Sequence, residues 1–274
     1  MRCRPEGDAM TTTMPTPPES NDDDLSPLLS EPFASAWAAP AEPGRMGGRL
    51  NDRLQRSLEA ERGMVTVRRR NAAPAEAGLR WLYRAPAGRP LRPGEPRSVC
   101  LIELQAGQFL QFEKTDGPRE FLVLRGRVEI DTEALTARDF LLLPAGNAAR
   151  LISLEGAQLF MREADATVAA RRTLVRDAEA GWPEFAPGIR RRVLWAGAGQ
   201  AALLYRAEPG AGVPGHGHGH DEECLMLQGE LFLDDLLLQQ GDYQLAPAGT
   251  GHRITETDTG VIIYAHGDLD LQFT

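Results

Sequence analysis

Short apolar runs, separated by turns rich in glycine and proline, dominate the chain from residue 78 to its end. Runs of about four to eight residues with this punctuation are typical of strands in a sandwich or barrel. One amphipathic helix is predicted earlier, because Leu50, Leu54 and Leu58 recur at helical spacing. The pattern therefore predicts an all-β protein with one short helix.

The β-rich region contains an internal repeat. Two blocks recur with the same offset of 103 residues: Arg119–Ile130 recurs as Glu222–Leu233, and residues 137–151 recur as 240–254. Gly126 matches Gly229, and a Pro-Ala-Gly turn occurs in both copies. A common offset through two separate blocks indicates duplication, so we expect two similar β domains.

The repeat and the composition of the flanking segments divide the chain. We expect a disordered tail over residues 1–48, a short helix and strand leading into the first barrel over 49–77, a first barrel over 78–165, a connector over 166–181 and a second barrel over 182–274. The tail is rich in proline, alanine, aspartate and serine and has no apolar periodicity, which is the composition of disordered segments.

Three histidines and a glutamate stand at suggestive spacing in the second copy. His216 and His218 are two residues apart, and residues so placed in a strand face the same side, about 6.6 Å apart. Glu222 follows a tight turn, and His252 follows the Pro-Ala-Gly turn that fixes its loop. Three neutral imidazoles and one carboxylate suit one divalent ion of iron, zinc, manganese or nickel, and spacing does not choose among them. A fortuitous histidine-rich surface run is the alternative.

The spacing of glycine, histidine, glutamate and proline over residues 210–229 and 241–252 is similar to the two signature motifs of the cupins. The short segment between the motifs and the flanking sequence WPEFAPGIRRRVLWAGAGQ resemble the cupin domain of ChrR-type regulators. The resemblance implies two tandem cupin barrels, which are double-stranded β-helix or jelly-roll folds. It also implies that the metal ligands are His216, His218, Glu222 and His252.

Other residues near the motif are open to more than one interpretation. His220 could face solvent, support a ligand, or exchange with one. Glu223 should point away from the metal, because it follows a ligand in a strand. The remaining candidates are expected to be structural: Cys224, His266, Tyr205 and Tyr243. The sequence singles out no catalytic residue.

The first copy has lost the four ligands. Their positions are occupied by Glu113, Thr115, Arg119 and Ala149. A cation at the position of the carboxylate would repel a divalent ion, so we expect the first barrel to be metal-free. Its expected duty is structural, either packing against the second barrel or forming a homodimer interface. A small anion held by Arg119 is the alternative.

Composition and charge exclude some classes of binding partner and indicate a cellular compartment. The net charge of −9 argues against nucleic acid and against anionic membranes. Three cysteines without a CxxC pair exclude a disulfide framework and favour the cytoplasm. The sequence has no apolar run long enough to span a bilayer and no signal-peptide pattern.

Two functions of different classes fit these features. The resemblance to ChrR implies a sensory or regulatory cupin of the stress response. The N-terminal part lacks the histidine and cysteine cluster of that family's zinc domain, so a sigma factor is not expected as a partner. The alternative is an Fe(II)-dependent dioxygenase acting on a small diketone or aromatic ketone. Either function would involve a small-molecule ligand in the second barrel.

Overall fold

The computed structural model describes residues 43–73, 75–92, 94–168 and 170–273. Most of the predicted tail, residues 1–42, lies outside the described residues. Helix α1, Pro43–Ala60, begins before residue 48, where the tail was expected to end. A proline is compatible with the first turn because its missing N–H has no partner there in any helix. In the described residues, no helix is long and apolar enough to cross a membrane.

A short strand and a single turn of 3₁₀ helix follow α1. The strand, β1, spans Val65–Val67, and the 3₁₀ turn spans Arg69–Asn71. Leu50, Leu54 and Leu58, the leucines that predict α1, are exposed.

The first barrel is antiparallel and is assembled from nine of the described strands. They are β2 (Leu79–Arg84), β3 (Ser98–Leu104), β4 (Gln108–Phe112), β5 (Arg119–Ile130), β6 (Glu133–Thr136), β7 (Phe140–Leu143), β8 (Ala149–Ser153), β9 (Ala157–Glu163) and β10 (Thr173–Val175). The main path through the sheet is β10-β7-β5-β9-β3-β2, while β4, β6 and β8 pair outside that path. The long strand β5 pairs with members of both groups and so joins them.

The second barrel repeats this arrangement. Its strands are β11 (Glu184–Ala186), β12 (Ile189–Gly197), β13 (Gln200–Ala207), β14 (Gly212–Val213), β15 (His216–Gly217), β16 (Glu222–Leu233), β17 (Leu236–Gln239), β18 (Tyr243–Ala246), β19 (Gly251–His252), β20 (Thr255–Glu256), β21 (Val261–Asp268) and β22 (Gln272–Phe273). The main path is β1-β18-β16-β21-β13-β12-β11, and β19-β15-β22 forms a separate small sheet. This architecture confirms the prediction of two tandem all-β barrels.

The two motif glycines show why the repeat constrains the backbone. Gly126 in β5 and Gly229 in β16 both have φ of +77°. A Cβ atom there would lie 2.2 Å from the carbonyl oxygen of Gly156 and 2.0 Å from that of Gly260, respectively. Only glycine fits such a conformation at such a contact distance, so the same bend recurs in both barrels.

Each barrel includes one strand from the segment that comes just before the other barrel in the sequence. Strand β1 pairs with β18 of the second barrel, and β10, from the predicted connector, pairs with β7 of the first. The arginine after each strand then reaches an aspartate of the repeat. Arg68 NH1 lies 2.8 Å from Asp242 Oδ2, and Arg176 NH1 lies 3.5 Å from Asp139 Oδ2. The exchange ties the two barrels together within the compact unit Leu54–Thr274.

Three apolar clusters form the core of the described residues. One fills the first barrel and includes Phe121, Leu159 and Met161. A smaller one lies inside the second barrel and includes Cys224 and Met226. The third contains buried residues of both barrels, among them Phe140, Phe160, Leu204, Tyr243 and Tyr264. The barrels therefore share an apolar interface.

Candidate metal centre

Two short strands bring His216 and His252 together. Strand β15 pairs with β19 so that His216 lies directly opposite His252. Glu222 is the first residue of β16. The backbone N–H of His218 donates to the Thr250 carbonyl at 2.9 Å, which holds the loop after β15 against the turn before β19.

The structure brings three of the four predicted ligands together and places the fourth, His252, beside them. The ligand atoms of His216, His218 and Glu222 all lie within 4.8 Å of one another. The His252 ring centroid lies 5.8 Å from that of His216 and 4.9 Å from that of His218. All three histidines are buried.

Hydrogen bonds fix the orientation of each imidazole ring. Nδ1 of His216 lies 3.1 Å from the Pro214 carbonyl oxygen, and Nδ1 of His252 lies 3.3 Å from Asp234 Oδ2. Because carbonyl and carboxylate oxygens only accept, these Nδ1 atoms carry the proton and their Nε2 atoms carry a free lone pair. Such partners are typical of histidines that bind metal through Nε2.

The hydrogen bonds of His218 also place its proton on Nδ1, and they show whether a metal ion fits beside its Nε2. Its Nδ1 lies 3.2 Å from Thr250 Oγ1, and that hydroxyl already donates to the Pro247 carbonyl at 2.6 Å. The threonine hydroxyl must therefore accept from His218, which leaves Nε2 as a lone pair. That Nε2 is buried and has no hydrogen-bond partner among the described residues. A buried nitrogen lone pair beside two further imidazoles and a carboxylate fits a divalent cation.

Burial favours the neutral, metal-binding form of two of the histidines, His218 and His252. Burial, together with the neighbouring His216, lowers the pKa of His218 to about 4. Burial also lowers the pKa of His252. For Glu222, burial raises the pKa of the carboxyl, although the nearby histidines act in the opposite direction. A cation at the centre of the group would stabilise the carboxylate form of Glu222.

A cavity lies against the candidate site. It is lined by His216 and Glu222 at one side, and its volume of about 80 Å³ is open to the centres of water-sized molecules. A single water needs about 10–15 Å³ on this measure, so the cavity has room for several waters or one small organic molecule. Most of its wall is apolar and includes Leu203, Tyr205, Val213, Cys224, Leu231 and Ile263. None of the described residues that line it is lysine or arginine.

The equivalent region of the first barrel contains an ion pair instead. Arg119 Nε lies 3.1 Å from Glu163 Oε2, and Arg119 NH1 donates to the Glu113 carbonyl at 2.6 Å. Thr115 Oγ1 donates to the other oxygen of Glu163 at 2.6 Å. Ala149 is fully buried. These four positions hold no group of metal ligands comparable with that of the second barrel.

The sequence left the role of His220 open and did not predict its partner, Asp268. His220 Nδ1 and Asp268 Oδ1 are 2.5 Å apart, and Asp268 Oδ2 accepts the Gly219 N–H at 2.5 Å. Asp268 also lines the cavity. His220 is therefore held beside the site by an aspartate on β21 that lies far away in the sequence and has no motif to mark it.

A buried polar cluster between the barrels was also missed. His266, expected to be structural, lies in it, with Nε2 3.5 Å from Glu120 Oε1. Tyr243 was expected to pack in the core; it does so, and its hydroxyl also donates to Glu223 at 2.6 Å. Burial, with Arg162 nearby, lowers the pKa of His266 well below its usual value. Glu223 points away from the metal site, as predicted, but towards the other barrel.

Comparisons with known proteins support the fold described above. Residues 170–270 match the family of ChrR cupin-like domains. No curated protein matches the sequence. Many solved structures do, and all those described next are less than 25% identical and so show the fold alone.

Three of these structures illustrate the likeness. A Nostoc punctiforme protein provisionally described as a dioxygenase is 15% identical (TM-score 0.54; 63% of this chain and 70% of that chain covered). A cupin 2 conserved barrel domain protein from Leptotrichia buccalis is 16% identical (0.52; 74% and 95%). Oxalate decarboxylase from Bacillus subtilis, with Mn(II) centres, is 12% identical (0.53; 74% and 77%). The chain thus has the two-barrel cupin fold, and its residues 170–270 match the family of ChrR cupin-like domains.

Proposed function

We propose that the chain is a sensory or regulatory cupin of the stress response, resembling ChrR, whose second barrel holds one divalent metal ion. The observation that carries the proposal is the arrangement of the three histidines. Each directs its proton-bearing Nδ1 to a protein acceptor. The buried Nε2 of His218 makes no hydrogen bond within the described residues and lies 3.4 Å from Glu222 Oε1. The match of residues 170–270 to ChrR cupin-like domains supports the regulatory role.

In the proposed site, His216, His218, Glu222 and His252 hold the ion. A bound divalent ion of this class supplies a Lewis acid with open positions for a small ligand. The chain's own residues shape what can approach it. The cavity wall is mostly apolar, and among the described residues it offers the carboxylate of Asp268 but no lysine or arginine. A small, neutral and largely apolar molecule fits these conditions.

An Fe(II)-dependent dioxygenase is the second candidate, and the cavity favours it. A pocket large enough for a small ketone, beside His216 and Glu222, would allow such a molecule to bind at the ion. In that case Cys224, Tyr205 and the other wall residues would orient a small diketone or aromatic ketone. The ligand set is the same for the two candidates, so only measurement of the reaction separates them.

The first experiment measures metal and oxygen together. The full chain is purified without oxygen, its metal content is determined by mass spectrometry, and oxygen uptake is then followed with β-diketones and aromatic ketones. Metal binding without oxygen uptake is expected for the regulatory protein. Oxygen uptake that consumes a ketone in proportion would replace the regulatory proposal by the enzymatic one. A chain that binds no divalent metal would overturn both.

The second experiment tests the regulatory role in cells of the source organism. Transcripts after oxidative stress are compared in strains that carry the wild-type chain, no chain, or His252→Ala. The matched control is Ala149→Gly, which alters the position equivalent to His252 in the first barrel. The proposal expects His252→Ala to reproduce the deletion while the control resembles wild type. Identical transcripts in all strains would contradict it.

A further inference from the structure

The residues on either side of Glu222 are paired with the first barrel. Asp221 and Glu223 are both fully buried. Because alternate residues of an extended chain face opposite sides, these two acids lie on the side away from the cavity that Glu222 lines. Each acid faces an arginine of the first barrel. Glu222 is therefore held between two anchored neighbours.

Arg92, from the loop between β2 and β3, binds Asp221 through two nitrogens. Its Nε lies 3.0 Å from Asp221 Oδ2 and 3.1 Å from Oδ1, and its NH2 lies 2.7 Å from Oδ2. Asp221 Oδ1 also accepts the Ala248 N–H at 2.9 Å. Ala248 belongs to the Pro-Ala-Gly turn that precedes His252, so the same aspartate links the first barrel to two parts of the metal site.

Arg92 is also linked to a buried glutamate of its own loop. Glu95, whose side chain is fully buried, accepts from Arg89 NH1 at 2.7 Å and from the Arg92 N–H at 2.7 Å. Tyr83 of β2 donates to the same carboxylate. Charge-assisted hydrogen bonds are stronger than neutral ones. Arg92 is thus linked through its backbone N–H to Glu95 and through its side chain to Asp221.

Arg162, from β9, anchors the other side. Its guanidinium is buried and donates to Glu223, to Glu120 at 3.3 Å and to the Gly94 carbonyl at 2.8 Å. The second oxygen of Glu223 accepts from Tyr243 at 2.6 Å. A buried carboxylate is stable only with its partners in place, so Glu223 cannot shift without breaking this network.

The backbone contact at Gly94 joins the two anchors. A Cβ atom on Gly94 would lie 2.9 Å from His220 Cβ and 3.0 Å from the Asp221 nitrogen. The loop of the first barrel therefore packs directly on the segment between His218 and Glu222. The φ of Gly94 is +82°, a value that glycine adopts without strain.

We propose that the first barrel positions the metal ligand Glu222 through Arg92 and Arg162, and so sets the metal affinity of the second barrel. This inference rests on the proposed metal site. A shift of the backbone over residues 221–223 would move the only anionic ligand of the set relative to the three histidines. The metal-free barrel then acts on the site of its neighbour, in addition to covering an apolar surface.

The test compares Co²⁺ affinity and the Co²⁺ absorption spectrum of full-length variants. Arg92→Met removes the paired hydrogen bonds to Asp221, whose side chain is fully buried, so circular dichroism first checks that the variant folds. We expect affinity to fall by about 10-fold or more, the range typical of residues that orient metal ligands, together with a changed spectrum. Arg92→Lys keeps the charge but not the two-nitrogen contact, so an intermediate affinity is expected. Arg162→Met combined with Glu223→Gln should weaken binding as well.

Arg68→Met is the matched control. Arg68 also reaches an aspartate of the second barrel, with NH1 2.8 Å from Asp242 Oδ2, but it does not touch residues 221–223. It should lower the melting temperature and leave Co²⁺ affinity and spectrum unchanged. Wild-type affinity and spectrum in Arg92→Met, or equal losses in Arg68→Met, would overturn the inference alone. A wild-type chain that binds no Co²⁺ would overturn the proposed function, and this inference with it.

Discussion

The interiors of the two barrels differ at a pair of facing residues. In the first barrel Phe121 of β5 lies opposite Met161 of β9, and both are fully buried. In the second barrel the equivalent pair is Cys224 and Ala265, on strands β16 and β21. Both of these smaller residues line the cavity. At this pair of positions, larger side chains fill the interior of the first barrel, and smaller ones leave space in the second.

The same contrast holds at the ligand positions. In the first barrel Arg119 faces Glu163, and the two form an ion pair. In the second barrel Glu222 lies against Gly267, where a Cβ would approach Glu222 Cγ to 3.2 Å. An internal counter-ion satisfies the first site, whereas the second has a carboxylate with space and histidines around it. One copy of the repeat thus contains an ion pair at these positions, and the other contains a cavity beside a group of histidines and a glutamate.

The largest expected effect separates the barrels by metal content. His216→Ala or His252→Ala should abolish binding of the single ion, because each removes one of the three imidazoles that converge on the site. Metal content per chain is measured by mass spectrometry after anaerobic purification. Glu113→Ala and Thr115→Ala, at equivalent positions of the first barrel, serve as controls and should leave one ion per chain. Two ions in the wild-type chain would show that the first barrel also binds metal.

The second prediction compares the filled and the open interior. Phe121→Ala should destabilise the fold by about 3–5 kcal/mol, because it leaves a cavity in a packed core. Cys224→Ala should cost about 1 kcal/mol, since little apolar surface is lost beside an existing cavity. Urea unfolding with unchanged m-values measures both. Equal costs would mean that the second interior is as tightly packed as the first.

The third prediction concerns Glu222. Glu222→Gln keeps the shape of the side chain and removes its charge, so metal affinity should fall by at least ~10–100-fold. Affinity is measured by competition with a chelator, and circular dichroism checks the fold, which should survive. If affinity were unchanged, Glu222 would not be a ligand. Complete unfolding would instead mean that the ion is needed to maintain the fold.

The smallest expected effect is a pH dependence that arises in the loop between β2 and β3 of the first barrel. Burial acts to raise the pKa of Glu95, but hydrogen bonds from Arg89, Tyr83 and the Arg92 N–H outweigh it and lower the pKa to about 2, from a usual value of 4.5. A pKa that is lower in the folded state gives stability that is complete above 4.5 and is lost as pH falls towards 2. Denaturant unfolding at several pH values in this window measures the loss.

Glu95→Gln provides the comparison for this effect. The variant should be less stable than wild type at neutral pH, and the difference should shrink as pH falls through the window. Other acids with lowered pKa, such as Asp177 and Asp242, add to the acid sensitivity of both proteins equally. A difference that stays constant with pH would show that the Glu95 carboxylate does not contribute through its charge.

The sequence by itself determined the repeat, the all-β architecture and the histidine–glutamate motif. These are short patterns: strand periodicity, turn glycines such as Gly126 and Gly229, three ligands within residues 216–222, and a histidine just after the Pro-Ala-Gly turn. The pattern also showed that Arg119 replaces the carboxylate in the first copy. Each inference needed only residues that are close in sequence or related by a constant offset.

Only the tertiary structure decided how the two barrels act on each other. The pairing of β1 with the second barrel and of β10 with the first could not be read from sequence order. Strand β1 directly precedes the first barrel, and β10 lies in the segment between the two barrels. The ion pairs of Arg92 with Asp221 and of Arg162 with Glu223 join residues far apart in sequence. Such contacts depend on the packing of the two domains, which no local pattern encodes.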